Sequence, residues 1–210
     1  MQKVKLLIIS VVLFSFGPGK EDQKNKWVSL FDGKSLNGWK VGANASCFSV
    51  VNGSIVVNGE TAHLFYIGKV QHHNYKNFEL KADVMTTAGS NSGIYFHTQY
   101  QENGWPKKGY EVQVNNSHTD WRRTGSLWAI QDITKTYVKD SEWFTMLIKV
   151  KGKRVTVAIN DKQVVDYTEP ENVQRDEGIK ERILSSGTFA LQGHDPKSKV
   201  YFKNIWVKVL

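Results

Sequence analysis

Trp143-Phe144-Thr145-Met146-Leu147-Ile148-Lys149-Val150, Arg154-Val155-Thr156-Val157-Ala158-Ile159-Asn160 and Gln163-Val164-Val165-Asp166-Tyr167 are three alternating runs, separated only by Lys151-Gly152-Lys153 and Asp161-Lys162. Apolar or β-branched residues at every second position suit half-buried strands, and connections this short join antiparallel neighbours. The stretch therefore predicts a three-stranded meander. From Trp27 onward the same punctuation holds, with short apolar or alternating runs between Gly, Asn and Asp clusters at roughly ten-residue intervals. Strands are predicted over residues 48–51, 54–57, 64–67, 78–86, 93–100, 110–115, 125–130, 143–150, 154–160, 163–167, 187–192 and 200–209. Residues 169–184 alone could hold a helical turn or two, and a surface loop is expected there. So many short strands, with edges to protect, argue for an all-β sandwich of two antiparallel sheets, of jelly-roll type.

Composition bounds the rest. The chain has 210 residues, 40% hydrophobic and 23% charged, which excludes a disordered tail protein and a multi-span membrane protein. Lys3 and Lys5 precede the apolar run Leu6 to Phe16, which Gly17-Pro18-Gly19 breaks. Residues 1–19 thus read as a signal peptide, too short in its apolar part for a stable span, and the protein is expected to be exported to the periplasm or beyond. Residues 27–210 then form one domain, with no integral membrane span in the processed form. Removing Lys3 and Lys5 lowers the net charge from +8 to +6, and the remaining cations are scattered, so nucleic acid is not an expected partner. Cys47 is the one cysteine, which forbids an intramolecular disulfide and predicts a buried, inert thiol.

Alternation also separates a core face from a working face. Over 78–84, Phe78, Leu80, Ala82 and Val84 face the core and Glu79, Lys81 and Asp83 face water. Over 93–100 the core takes Ile94, Phe96 and Thr98, leaving Tyr95, His97 and Gln99 opposite. Glu111, Gln113 and Asn115 alternate with Tyr110, Val112 and Val114, while Gln192 and His194 are in phase after Phe189 and Leu191. These faces carry amide, imidazole, carboxylate and phenol groups but no Lys, the lining of a polar ligand cleft rather than a solvated surface. Each group alone could be structural. Asn91-Ser92-Gly93 also reads as a turn, Trp105-Pro106 and Trp121 as loop anchors or sugar-stacking platforms, and Arg122-Arg123 as a solvated pair or a grip on a hydroxyl-rich ligand.

Several segments taken together resemble a known family. They are Trp27-Val28-Ser29-Leu30-Phe31-Asp32-Gly33-Lys34-Ser35-Leu36-Asn37-Gly38-Trp39, Asn91-Ser92-Gly93-Ile94-Tyr95-Phe96, Glu111-Val112-Gln113-Val114, Thr124-Gly125-Ser126-Leu127-Trp128, Glu142-Trp143, and Leu191-Gln192-Gly193-His194-Asp195-Pro196 followed by Phe202-Lys203-Asn204-Ile205. In this order they resemble the 3-keto-disaccharide hydrolase family. The resemblance implies a concanavalin A-like jelly roll, related in fold to lectins and to the β-glucanases of glycoside hydrolase family 16, and an enzyme that cleaves glycosides already oxidised to a ketone at sugar carbon 3.

The active strand of those glucanases reads Glu-x-Asp-x-x-Glu, whereas here Glu111 is followed by Gln113 and Asn116. A retaining glycosidase needs two carboxyl groups about 5 Å apart, so this strand lacks the usual pair. A 3-keto substrate needs less: one base for the acidified hydrogen on carbon 2, a stabiliser for the enolate, and departure of the carbon-1 group. On this reading Glu111 or His194 is the base and the other, with His97, supplies protons or binds a metal. Asn91, Tyr95, Gln113, Arg123, Trp128 and Gln192 hold a glycoside or oligosaccharide. A divalent metal is left open, since the residue types suit Ca, Mn or Zn but strand-borne spacing is no metal motif. Two alternatives stand beside it: a carbohydrate-binding module without catalysis, and a conventional glycosidase pairing Glu111 with Asp195 or Glu102.

Overall fold

The computed structural model describes residues 25–210, so the signal peptide expected over residues 1–19 lies outside the described residues. Its strands are β1 (Trp27–Ser29), β2 (Trp39–Val41), β3 (Phe48–Val51), β4 (Ser54–Asn58), β5 (Ala62–Tyr66), β6 (Phe78–Thr86), β7 (Ser92–Thr98), β8 (Tyr110–Val114), β9 (Phe144–Lys151), β10 (Arg154–Ile159), β11 (Lys162–Thr168), β12 (Thr188–Gly193) and β13 (Lys199–Val209). They pair antiparallel in two sheets. One runs β11-β10-β9-β6-β13-β4-β3 with β1 also on β13, and the other runs β2-β5-β12-β7-β8. The all-β, two-sheet expectation holds.

The meander forms as its sequence predicts. Lys151 pairs with Arg154 across Gly152 and Lys153, and Ile159 pairs with Lys162 across Asn160 and Asp161. Both residues of the second turn have positive φ, 46° and 65°, which suits the primed turns that match strand twist. The core lies between the sheets. Phe78, Leu80, Ala82 and Val84 of β6 and Phe144, Met146, Ile148 and Val150 of β9 join Ile94, Phe96, Val112, Val114, Phe189 and Leu191 from the opposite sheet. At about 1.5–3 kcal/mol for each large apolar side chain removed from water, this layer holds the two sheets together.

The sheets differ on their outer faces. β6 and β9 alternate buried and half-exposed residues, as a sheet with one wet face should. β7, β8 and β12 are buried at every position, because loops cover their outer face. One covering loop ties its own ends together. The Glu169 carboxylate accepts the Leu184 amide at 2.9 Å and the Tyr110 hydroxyl, and Arg175 reaches Tyr110 Oη at 2.9 Å. This is the loop expected over 169–184, with a single 3-10 turn at Glu177–Ile179.

Two expectations need correction. Residues 125–130 form no strand: Gly125 and Ala129 have positive φ of 96° and 59°, and Leu127 makes only isolated bridges to Val112 and Gln131. The segment instead caps the free edge of β8, through Trp128 N–H to Glu111 O at 3.0 Å and Gln113 N–H to Ser126 O at 2.9 Å. β1 and β2, at three residues each, are too short to show an alternating pattern and were not expected. Cys47 is buried, and burial pushes its thiol pKa up, as an inert thiol requires.

Candidate active site

The outer face of the five-stranded sheet is the floor of a cleft of about 560 Å³, within the range of small-molecule sites. Strand alternation sends Glu111 and Gln113 up from β8, Tyr95 from β7 and Gln192 from β12. Asn91 enters just before β7 and His194 just after β12. The walls come from loops: Trp105 from residues 101–107, Asp120 and Trp128 from the stretch beyond β8, and Arg182 from the tied loop.

Glu111 is the centre of the floor. Its side chain is 5% exposed, Oε1 accepts Gln192 Nε2 at 2.7 Å, and Oε2 lies 3.6 Å from Arg182 Nη2. Burial pushes its pKa up. Arg182, together with hydrogen bonds from Tyr95 and Gln192, pulls the other way, and the net direction is above the ordinary carboxylate value. Room for this side chain comes from a missing one: a Cβ on Gly93, which pairs with Gln113 and lies diagonal to Glu111, would sit 2.5 Å from Glu111 Oε1. The Tyr95 phenol is held neutral, its pKa raised first by burial and then by the Glu111 charge.

A second group of residues forms a hydrogen-bonded chain along the cleft rim. Gln113 Nε2 donates to Asn91 Oδ1 at 2.5 Å, the Asn91 amide donates to Ser198 Oγ at 2.9 Å, and Ser198 donates to Asp195 Oδ2 at 2.7 Å. Asp195 Oδ2 also faces His194 Nδ1 at 2.8 Å. Partial burial works against the Asp195 charge, but bonds from Ser198, His194 and the Lys197 amide outweigh it and hold the carboxyl below its usual range. An ionised Asp195 fixes the proton of His194 on Nδ1 and leaves Nε2 free for a substrate. His194, Asp195 and His118 have one possible ligand atom each within 4.8 Å of one another, the place where a cation would fit. His118 Nδ1, however, accepts the Asp120 amide at 3.0 Å, which puts the proton of the neutral ring on Nε2. To hold a cation through Nε2, His118 would have to give up that bond.

Glu111, His194, Asn91, Tyr95, Gln113, Trp128 and Gln192 thus meet in one cleft, as the sequence predicts. His97 and Arg123 do not. His97 has φ of 55° and sits where the β7–β12 register shifts, so the two-residue period breaks there. Its ring packs edge-on to Phe78 at 5.7 Å, donates from Nε2 to Lys76 O at 3.0 Å, and accepts the Ser185 amide on Nδ1 at 3.2 Å. It positions the loop that carries Arg182. Arg123 is a brace, donating to Asn115 Oδ1, His118 O and Asp120 O. Of the carboxyls considered as partners for Glu111, Glu102 does not line the cleft and Asp195 is taken up by His194, Ser198 and Lys197.

Sequence reasoning missed Arg182 and His63 and left Trp105 between two roles. Arg182 stands in a loop without periodicity, so nothing local signalled it. Trp105 packs its ring 5.3 Å from His194 and 5.5 Å from His63. His63 was legible, being in phase with Phe65 on β5, and burial lowers its pKa to about 3.

The 3-keto-alpha-glucoside-1,2-lyase-like domain matches residues 26–208. A protein of Bacteroides thetaiotaomicron named 3-keto-disaccharide hydrolase is 27% identical over 169 residues, which cover 67% of this chain and 58% of that relative. The match therefore spans somewhat less than three-fifths of the relative's length. A crystal structure of a candidate glycosyl hydrolase from Parabacteroides distasonis superposes with a TM-score of 0.74 at 26% identity, covering 88% of this chain and 94% of that one. A carbohydrate-binding module of Bacillus subtilis superposes with a TM-score of 0.58 at 14% identity, over 81% of this chain and 95% of that one, a likeness of fold alone. The fold is the concanavalin A-like β-sandwich that the resemblance implied.

Proposed function

We propose, from the premise that this chain belongs to the 3-keto-alpha-glucoside-1,2-lyase-like family, that it cleaves glycosides already oxidised to a ketone at sugar carbon 3. The observation that carries this reading is Glu111, a dehydrated carboxylate of raised proton affinity on the floor of a sugar-sized cleft. It faces amides and a guanidinium rather than a second carboxyl. The other acid among the lining residues, Asp120, accepts the Arg122 amide and lies 3.7 Å from the Arg122 guanidinium. A lone raised carboxylate is a poor half of a retaining pair and a good general base.

In the reaction, Glu111 takes the hydrogen on carbon 2 as a proton and the bonding pair becomes the enolate of the carbon-3 ketone. The ketone then re-forms, a carbon-1–carbon-2 double bond appears, and the carbon-1–oxygen bond breaks with its electron pair on the leaving oxygen. His194, in its protonated form, returns a proton to that oxygen. Water adding across the new double bond would give net hydrolysis. Gln113, Gln192 and Asn91 hold hydroxyls, Trp105 offers a ring face to the sugar or the leaving group, and Trp128, with Arg182 and Arg122 over its ring, lines the cleft as their platform.

The test is incubation of the purified protein with a 3-keto-glucoside and with its unoxidised parent, following release of the leaving group. Release from the keto compound alone, lost in Glu111→Gln, is expected. Release from the unoxidised glycoside would favour a conventional glycosidase. Sugar binding without turnover of either would leave a binding module. A chelator arm separates a proton network at His118, His194 and Asp195, which keeps activity, from a metal site there, which loses it. Export follows the same reading, and a secreted protein shortened by the leader, measured by mass, tests it.

A further inference from the structure

Among the described residues, three buried side-chain atoms on the cleft lining have no hydrogen-bond partner: Arg182 Nη1, Gln113 Oε1 and Gln192 Oε1. Their residues are 6%, 2% and 2% exposed, and all three line the cleft. Buried polar atoms are normally paired, so an unpaired set on residues that line one cleft marks where a ligand supplies the missing partners. The set is also polarised. The two amide oxygens can only accept, which suits sugar hydroxyls, whereas the guanidinium can only donate, which suits an oxygen that carries or acquires negative charge.

The guanidinium is held in place before any ligand arrives. Its central carbon lies 4.7 Å from the centroid of the Trp128 ring and 5.7 Å from that of the Tyr95 ring. Its Nη2 is 3.6 Å from Glu111 Oε2. Its backbone is fixed on both sides, the Arg182 amide donating to Ile179 O at 2.9 Å and the Arg182 carbonyl accepting Arg175 Nε at 2.8 Å. A donor fixed beside the base matches a reaction in which the proton leaves carbon 2 while charge builds on the oxygen of the adjacent carbon.

We propose that Arg182 donates from Nη1 to the carbon-3 oxygen of the substrate and stabilises the negative charge that forms there when Glu111 removes the carbon-2 proton. This rests on the keto-glycoside reading and adds to it the catalytic residue that selects the ketone. No atom is transferred to or from Arg182. The charge passes from the carbon–hydrogen bond to the carbon-3 oxygen and on to the leaving oxygen, and the guanidinium keeps its protons throughout.

The experiment compares wild type, Arg182→Gln, Arg182→Lys and Arg182→Ala on a 3-keto-glucoside, with melting temperature as the check on folding. Hydrogen exchange at carbon 2 of a 3-keto sugar lacking a leaving group is followed in deuterated water by NMR. Arg182→Gln is expected to lower kcat by about 10²–10³ with a smaller change in KM, and to slow exchange in parallel. Arg182→Lys keeps the charge but not the fork and loses at least about tenfold. Low-millimolar guanidinium should restore part of the Arg182→Ala rate, a response that a merely structural role would not give. Cleavage by Arg182→Gln or Arg182→Lys at the wild-type kcat overturns the inference while leaving the keto-glycoside reading intact. A wild-type protein that neither exchanges nor cleaves overturns both.

Discussion

Lowering the pH from 8 to 5 should cost the fold about 4 kcal/mol through two buried histidines. Burial lowers the pKa of His63 to about 3 and that of His97 to about 4, from the ordinary 6.5. His97 adds a geometric reason: a proton on Nδ1 would face the Ser185 N–H that now donates to it. The sign follows from which state binds protons. Below pH 6.5 the unfolded chain protonates both rings and the folded protein neither, so stability falls at about 1.36 kcal/mol per pH unit per ring until the folded values are reached. From 6.5 to 5 that is about 2 kcal/mol for each. Glu111 acts in the opposite direction: its raised folded pKa favours the folded state at acid pH and offsets part of the loss. The lowered carboxyls of Asp195 and Glu79 lose their contribution only as the pH falls through the ordinary carboxylate range, mostly below this window. Urea unfolding at the two pH values measures the difference, and thermal unfolding should show a drop of about 8–16 °C for a domain of this size. His63→Phe and His97→Gln do not titrate, so each should remove about half of the pH slope whatever its own baseline cost. A wild-type stability equal within about 1 kcal/mol at both pH values, or a His97→Gln variant with the full slope, would refute the reasoning.

Glu111→Gln should keep the melting temperature within a few degrees and lower kcat on a 3-keto-glucoside by about 10²–10⁴, read by leaving-group release. In the wild type, the acid limb of kcat/KM should have its midpoint above the ordinary carboxylate value of 4.5, because the base must be ionised and its folded pKa is raised; a midpoint at or below that value would deny Glu111 the role. Gly93→Ala adds a methyl group against Glu111 Oε1, at 2.5 Å before relaxation, and should cost about 1–3 kcal/mol in chemical unfolding together with most of the activity, although no polar group is removed. Asp195→Asn leaves His194 without the charge that fixes its tautomer, and should lower kcat more than it raises KM in the same release assay.

What could be read from the sequence follows from where periodicity operates. The core of β6 and of the β9–β11 meander, and the convergence of Glu111, Gln113, Tyr95 and Gln192, come from the two-residue alternation of strands, which the pleat enforces. His97 defeats that rule because a left-handed residue and a register shift turn its ring away from the cleft. Residues 125–130 looked like a strand because they do hydrogen-bond to one, across a free edge and with two positive-φ residues that no alternation displays. Arg182 was invisible for a different reason. Loops carry no period, and what brings this side chain to Glu111 is a set of contacts among Glu169, Tyr110, Arg175 and Leu184 that are distant in sequence.

The clasp between Glu169 and Leu184 closes the excursion at its base, so the sheet experiences a short bridge whatever lies beyond it. Closure entropy grows only slowly with loop length. Residues between the clasp points can therefore lengthen, shorten or change chemistry without altering strand register, and the excursion behaves as a replaceable cassette. Glu111 and its amide neighbours stand on the sheet, while Arg182 is the position of the excursion that must stay, so exchange falls on the residues around it. Divergence of substrate range on this scaffold is accordingly expected between the two ends of that clasp, and grafting the segment from one relative to another is the direct way to move a preference while keeping the base in place.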